Sequence, residues 1–228
     1  MDDLCEVIKR IKNSVAIVAV LDSKNNILGT GSGFVFIKMG ILVTCNHVVK
    51  SANSVFIKFP NSEWIGAKII LRDEEHDLAL LKFEDNVRSP LPDASAKSII
   101  EGERVIFSGY PLNLSELTTH QGIVSAITED VTGIKNYLID GTVNSGNSGC
   151  PLMNLCGEVI GIVNAKRRER SDLLEKVEKM QAGAVSLHGL DLVEIYRAII
   201  NNVQLGIGYA VPACYIPEYK EFPKDEKK

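Results

Sequence analysis

Several things are scarce in this chain. Aromatic residues make up only 6% of its 228 residues, with a single Trp, so any large core must be packed mainly by aliphatic side chains. Ile and Val carry much of that apolar content, and β-branched residues suit a pleated, half-buried surface. There is no basic excess: 25 Lys and Arg stand against 29 Asp and Glu, a net charge of -4. That balance argues against a general nucleic-acid or anionic-membrane surface. The longest apolar run, residues 15–21, is far short of the ~18 residues that a membrane-crossing helix requires. The first residues are acidic where a secretory leader would be basic, and no long apolar stretch follows them. Five cysteines is an odd number with no framework spacing. Free thiols in a reducing compartment, the cytoplasm, are therefore expected. No cluster of His, Cys and acids has metal-ligand spacing, and no glycine-rich phosphate loop is present, so neither a metal nor a cofactor is expected. The chain has no short-period repeat.

What is present is a succession of short β-branched runs. Residues 2–12 come first and read as an amphipathic helix, with Leu4, Val7, Ile8 and Ile11 at helical spacing and Asp2 and Asp3 at its positive end. Six strands follow, at 15–21, 33–37, 41–44, 55–59, 64–71 and 78–83, separated by turn chemistry such as Pro60-Asn61-Ser62. A Pro-containing connector at 89–93 leads to six more, at 104–108, 119–127, 137–140, 151–153, 159–163 and 207–211. Two sets of six strands fit two packed barrels or a sandwich. The segment 166–205 breaks the pattern and reads as two helices. The first is capped by Ser171 and carries Leu173, Leu174, Val177 and Met180; the second carries Leu192, Val193, Tyr196, Ile199, Ile200 and Val203.

The chemistry concentrates at Gly146-Asn147-Ser148-Gly149. A serine hydroxyl is a weak nucleophile until a base takes its proton and donors hold the oxyanion that forms. Glycines on both sides let the backbone turn sharply, and the amides of Gly146 and Ser148 are then the oxyanion donors. One such donor is worth about 2.7–4 kcal/mol in the transition state. Two further residues supply the rest. His47 directly follows an apolar strand, and Asp77 directly precedes one. A base must stand near the serine, and a carboxylate must fix its tautomer; the order His, Asp, Ser is one of those in which this triad occurs.

Taken together, these motifs resemble the trypsin-like serine proteases of the HtrA/Deg type. Gly31-Ser32-Gly33-Phe34-Val35, Thr44 to Val49, Asp77-Leu78-Ala79-Leu80-Leu81, Gly109-Tyr110-Pro111, Gln121 to Ser125, Gly146 to Pro151, Gly157 to Ile162 and Gly206 to Pro212 occur in the family's order. The resemblance implies an all-β fold of two six-stranded antiparallel barrels, at about 14–88 and 100–213, in one protease domain spanning 1–220. The N-terminal helix and the helical insertion at 166–205 decorate that domain, and a charged tail occupies 221–228. It implies catalytic roles for His47, Asp77 and Ser148, an oxyanion hole at Gly146 and Ser148, and a protein or peptide substrate.

Three departures shape the remaining expectations. No PDZ domain is expected after the protease domain. Cys150 replaces the second glycine after the serine. It pairs in thought with Cys45, two residues before His47, as two small buried thiols or, alternatively, as a redox pair. The insertion at 166–205 is a candidate switch, a regulatory-partner contact or a homo-oligomer contact. Asn147 carries no charge to receive a newly cut N-terminal amine, so activation by cleavage is not expected. The resemblance also places a specificity pocket at Thr142, Asn164 and Ile207. An uncharged Thr142 favours small or medium aliphatic residues at the cleaved position over Lys or Arg. His76, His120 and His188 belong to no constellation that the sequence reveals. Two other functions fit the same sequence: a protease-fold binding or scaffold module that does not cleave, and a partner-activated effector of a larger, defence-type complex.

Overall fold

The computed structural model describes residues 3–85, 87–164, 176–177, 179–202 and 207–216. The chain opens with helix α1, Leu4–Ile11, whose N-cap Asp3 accepts a hydrogen bond from the Cys5 amide. Barrel one follows: β1 (Val15–Leu21), β2 (Ile27–Val35), β3 (Ile41–Cys45), the one-turn helix α2 (Asn46–Val49), β4 (Ser54–Lys58), β5 (Ile65–Asp73) and β6 (Leu78–Lys82). All neighbours are antiparallel, in the order β1-β2-β3-β6-β5-β4, and β4 closes on β1. Barrel two begins with β7 (Arg104–Gly109), β8 (Thr118–Glu129), β9 (Lys135–Asp140), β10 (Pro151–Asn154) and β11 (Val159–Asn164). After a small hairpin, β12 (Ser186–Leu187) and β13 (Leu190–Asp191), and helix α3 (Leu192–Asn202), strand β14 (Ile207–Pro212) completes it. Its order is β10-β11-β14-β9-β8-β7, closed by β7 on β10. The two closed six-stranded barrels are those expected.

The apolar runs serve two cores at once. Along β1, Ala16, Val18 and Val20 point into barrel one, while Val15 and its neighbour Ile17 point into a second cluster outside it. On β3 and β6, Leu42, Ala79 and Leu81 face the same interior, and Ile41, Val43, Leu78 and Leu80 face out of it. Barrel two repeats the arrangement, with Val105, Phe107, Leu152 and Val163 inside and Ile106, Met153, Val159 and Ile162 outside. The outward residues of both barrels form one shared core, joined by Val7 and Ile11 of α1. The strand period of two therefore divides each strand between a barrel interior and the seam. This is why these strands read as continuous apolar runs and not as alternating ones.

Three expectations needed correction. β2 starts at Ile27 and not at residue 33: Ile27 and Leu28 are exposed, so no alternation marks them, and pairing with β1 sets the start. The same strand ends at Val35, because Ile37 adopts a left-handed φ of 69° in the turn to Ile41. The insertion also contains a hairpin that the helical reading omitted. His188 and Gly189, both at positive φ, form its two-residue turn between Leu187 and Leu190. Two-residue strands are too short to show a periodicity. The second inserted helix is α3, capped by Asp191 through the amides of Val193 and Glu194. Of the first, Val177 lies in a helical turn, while Ser171, Leu173 and Leu174 lie outside the described residues, as do Val203 and the tail 221–228.

Candidate active site

Each candidate residue stands at a strand end on the seam. His47 is in α2, directly after β3; Asp77 ends the turn that leads into β6; Ser148 lies in the loop before β10. Because β3 and β6 are hydrogen-bonded neighbours, with Cys45 opposite Leu78, the histidine and the aspartate emerge side by side. The serine arrives from the other barrel.

The three side chains form a continuous relay. Asp77 Oδ2 lies 2.6 Å from His47 Nδ1, and His47 Nε2 lies 2.9 Å from Ser148 Oγ. The His47 amide donates to Asp77 Oδ1 at 2.8 Å, so the carboxylate grips both the ring and the backbone of the histidine. The Asn46 amide donates to the Asp77 carbonyl at 2.9 Å. Asp77 itself has φ 55°, a left-handed conformation that costs a non-glycine residue on the order of 1–3 kcal/mol and persists where surrounding contacts fix it. With Nδ1–H held by the carboxylate, Nε2 is the free base facing the hydroxyl.

The nucleophile loop is built from two linked turns. The Asn147 amide donates to the Asn144 carbonyl, and the Cys150 amide to the Asn147 carbonyl, both at 3.0 Å. Gly146 has φ 95°, and a Cβ there would stand 2.4 Å from the Tyr110 carbonyl oxygen, so glycine is required. Buried Ser32 splices the loop to both barrels. Its amide donates to the Ser148 carbonyl at 2.8 Å, its hydroxyl donates to the Gly146 carbonyl at 2.7 Å, and the Tyr110 amide donates to that hydroxyl at 2.9 Å. Nothing in the local spacing signals this role for Ser32, since its partners lie 78 and 114 residues away.

The three residues expected at the pocket lie on or just beyond three neighbouring strands, β9, β14 and β11. Thr142 is exposed just beyond β9, and Ile207 is exposed at the start of β14, paired with Asp140. Asn164 is buried, and its side-chain amide donates to Asp77 Oδ2 at 2.8 Å, on the same oxygen that receives His47. Its position thus serves the carboxylate. The other histidines also find places. His120 stacks on Phe107 and His188 sits in the hairpin turn. His76 is paired with Asp73 at 2.7 Å.

Cys45 brings a thiol to the same region: its sulfur, an imidazole nitrogen of His47 and an oxygen of Asp77 lie within 4.8 Å of one another. A tetrahedral ion with bonds near 2 Å would hold its ligand atoms ~3.3 Å apart. The 2.6 Å between Nδ1 and Oδ2 is shorter and marks a hydrogen bond, not two ligands of one ion. Cys45 and Cys150 are both buried free thiols. Burial pushes both thiols up in pKa, and the Asp77 carboxylate adds to the effect at Cys45.

Fold and site together define a class, and the comparisons agree with it. A family model described as "Trypsin-like peptidase domain" matches residues 31–162. The chain belongs to that family. Among curated proteins it resembles a probable periplasmic serine endoprotease, DegP-like, of Hahella chejuensis, with 40% identity over 137 residues, 58% of this chain and 29% of that protein. It also resembles the serine protease Do-like HtrA of Lactobacillus helveticus, with 35% identity over 200 residues, 81% of this chain and 48% of that protein. The chain thus spans less than half the length of these relatives. Among solved structures, the serine endoprotease from Yersinia pestis shares the fold, with a TM-score of 0.68 and 24% identity over 94% of this chain and 64% of that one.

The thiol environments make a direct prediction. Iodoacetamide at neutral pH should alkylate the exposed Cys5, Cys156 and Cys214 of the folded protein and spare Cys45 and Cys150, because only a thiolate reacts. Intact-mass measurement should then show all five modified only in denaturant. Rapid alkylation of Cys45 or Cys150 in the folded chain would contradict the burial argument.

Proposed function

We propose that this chain is a serine endopeptidase of the HtrA/Deg type. The observation that carries the proposal is the unbroken relay from Asp77 through His47 to Ser148, at 2.6 and 2.9 Å. Ser148 Oγ attacks the carbonyl carbon of a peptide bond as His47 Nε2 takes its proton. The carbonyl oxygen becomes an oxyanion and accepts hydrogen bonds from the amides of Gly146 and Ser148. Asp77 stabilises the imidazolium, and Asn164 helps hold the carboxylate in place. The imidazolium then gives its proton to the leaving amine, and the carbon–nitrogen bond breaks to leave an acyl-enzyme on Ser148. A water loses its proton to His47, attacks the ester and releases the acid, and the serine is restored.

A fluorophosphonate probe should label the wild-type protein and fail to label Ser148→Ala. Gly146→Ala should lower peptide hydrolysis by about 10²–10³-fold, because the added Cβ displaces an oxyanion donor. Absence of labelling in the folded wild type would favour a binding module over an enzyme.

For the cleaved position we propose a small or medium aliphatic residue. The uncharged Thr142 and Ile207 support this, since a Lys or Arg side chain would find no carboxylate at either. Val, Ala or Leu should dominate the profile of a peptide library, and strict cleavage after Lys or Arg would refute the assignment. The relatives named as periplasmic carry that address for themselves. For this chain we propose the cytoplasm, which five free cysteines support. Cell fractionation that recovers the protein outside the cytoplasm would refute it.

A further inference from the structure

The left-handed Asp77 is held on one flank by Asn46, His47 and Asn164. Its other flank borders an open cavity of about 250 Å³, lined by His76, Asp77, Asp130, Asn136, Asn164 and Val211 among others. At its edge stands a second histidine–carboxylate pair. Asp73 accepts from the His76 amide at 3.0 Å through one oxygen and meets His76 Nδ1 at 2.7 Å through the other. The His76 ring lies flat on Tyr215, with centroids 4.3 Å apart and planes 23° off parallel. Tyr215 belongs to the second barrel. It sits in the turn after β14 between buried neighbours, Ala213 and Ile216, and its hydroxyl accepts from the Lys135 amide at 3.0 Å. The near end of the same turn is also tied down, because Arg72 donates to the carbonyls of Val49 and Lys50 at the end of the His47 helix.

We propose that His76 is a positioning residue, a latch that ties the turn 73–77 across the seam to Tyr215 and so holds Asp77, the next residue, in place against His47. The inference rests on the serine-peptidase reading of the same site. The chain brings Asp77 and His47 from barrel one and Ser148 and Asn164 from barrel two, so the relay is in register only while the barrels keep their mutual position. The shared core docks the barrels, and the residue next to Asp77 adds a contact to Tyr215 at the aspartate itself. It touches neither substrate nor serine.

The test uses two readouts on the full chain. The His47 Nδ1–H, held at 2.6 Å from a carboxylate, should give a far-downfield proton resonance that needs no turnover to be seen. His76→Ala and Tyr215→Leu should broaden that resonance or move it upfield. They should also lower kcat for a peptide substrate by about tenfold with KM within about twofold, the signature of misplaced catalytic groups and not of lost substrate binding. His76→Phe, which keeps the stack, should restore most of the rate. A folded His76→Ala with wild-type kcat and an unchanged resonance overturns the latch. If His76→Ala does not fold, Tyr215→Leu carries the same test. A wild type that hydrolyses no peptide removes the peptidase reading, and the resonance alone then decides the latch.

Discussion

The structure depends on one constraint: two closed barrels must bury the same apolar seam. Neither barrel hides all of its apolar surface in its own interior. Ile41, Val43, Leu78 and Leu80 of one and Ile106, Met153, Val159 and Ile162 of the other have nowhere to go except against each other. Burial of that surface is non-directional, but strand register is not. A shift of one residue in β3 would send Leu42 outward and Val43 inward and would rotate His47 away from the seam. The hydrophobic requirement thus sets where the polar groups stand.

Given the seam, the polar chemistry is assembled from short-range bonds that cross it. Ser32, on barrel one, holds both the Gly146 and Ser148 carbonyls of the nucleophile loop. Asn164, on barrel two, holds the carboxylate of barrel one. Each barrel therefore carries a residue that holds part of the other's share of the Asp77–His47–Ser148 relay. Such reciprocal ties sharpen a geometry that packing alone leaves loose, because a hydrogen bond loses strength steeply with angle and distance. The cysteines fit the same economy of space. Cys45 and Cys150 are buried small side chains in the seam and in barrel two, and burial pushes the pKa of both up.

Most of the framework was legible in advance. Eleven of the twelve barrel strands fall within two residues of their expected limits at both ends, because β-branched runs between turn residues carry that information locally. Where reading failed, the cause was tertiary. The early start of β2 comes from pairing with β1, not from alternation. The hairpin at 186–191 is set by two positive-φ residues in strands too short for a period. At the site, the types and order of His47, Asp77 and Ser148 were visible, whereas the bond from Asn164 to Asp77 and the pairing of His76 with Asp73 were not.

By itself, the sequence determined the strand content, the division into two sets and the identity of the residues with reactive chemistry. Those follow from residue type and local spacing, which act over a few positions. Only the tertiary structure decided that Asn164 serves Asp77 across 87 residues, that Ser32 splices the nucleophile loop, and that His76 meets Tyr215. The physical reason is the seam: contacts made across it join residues that share no local pattern, and their partners are chosen by how the two barrels dock.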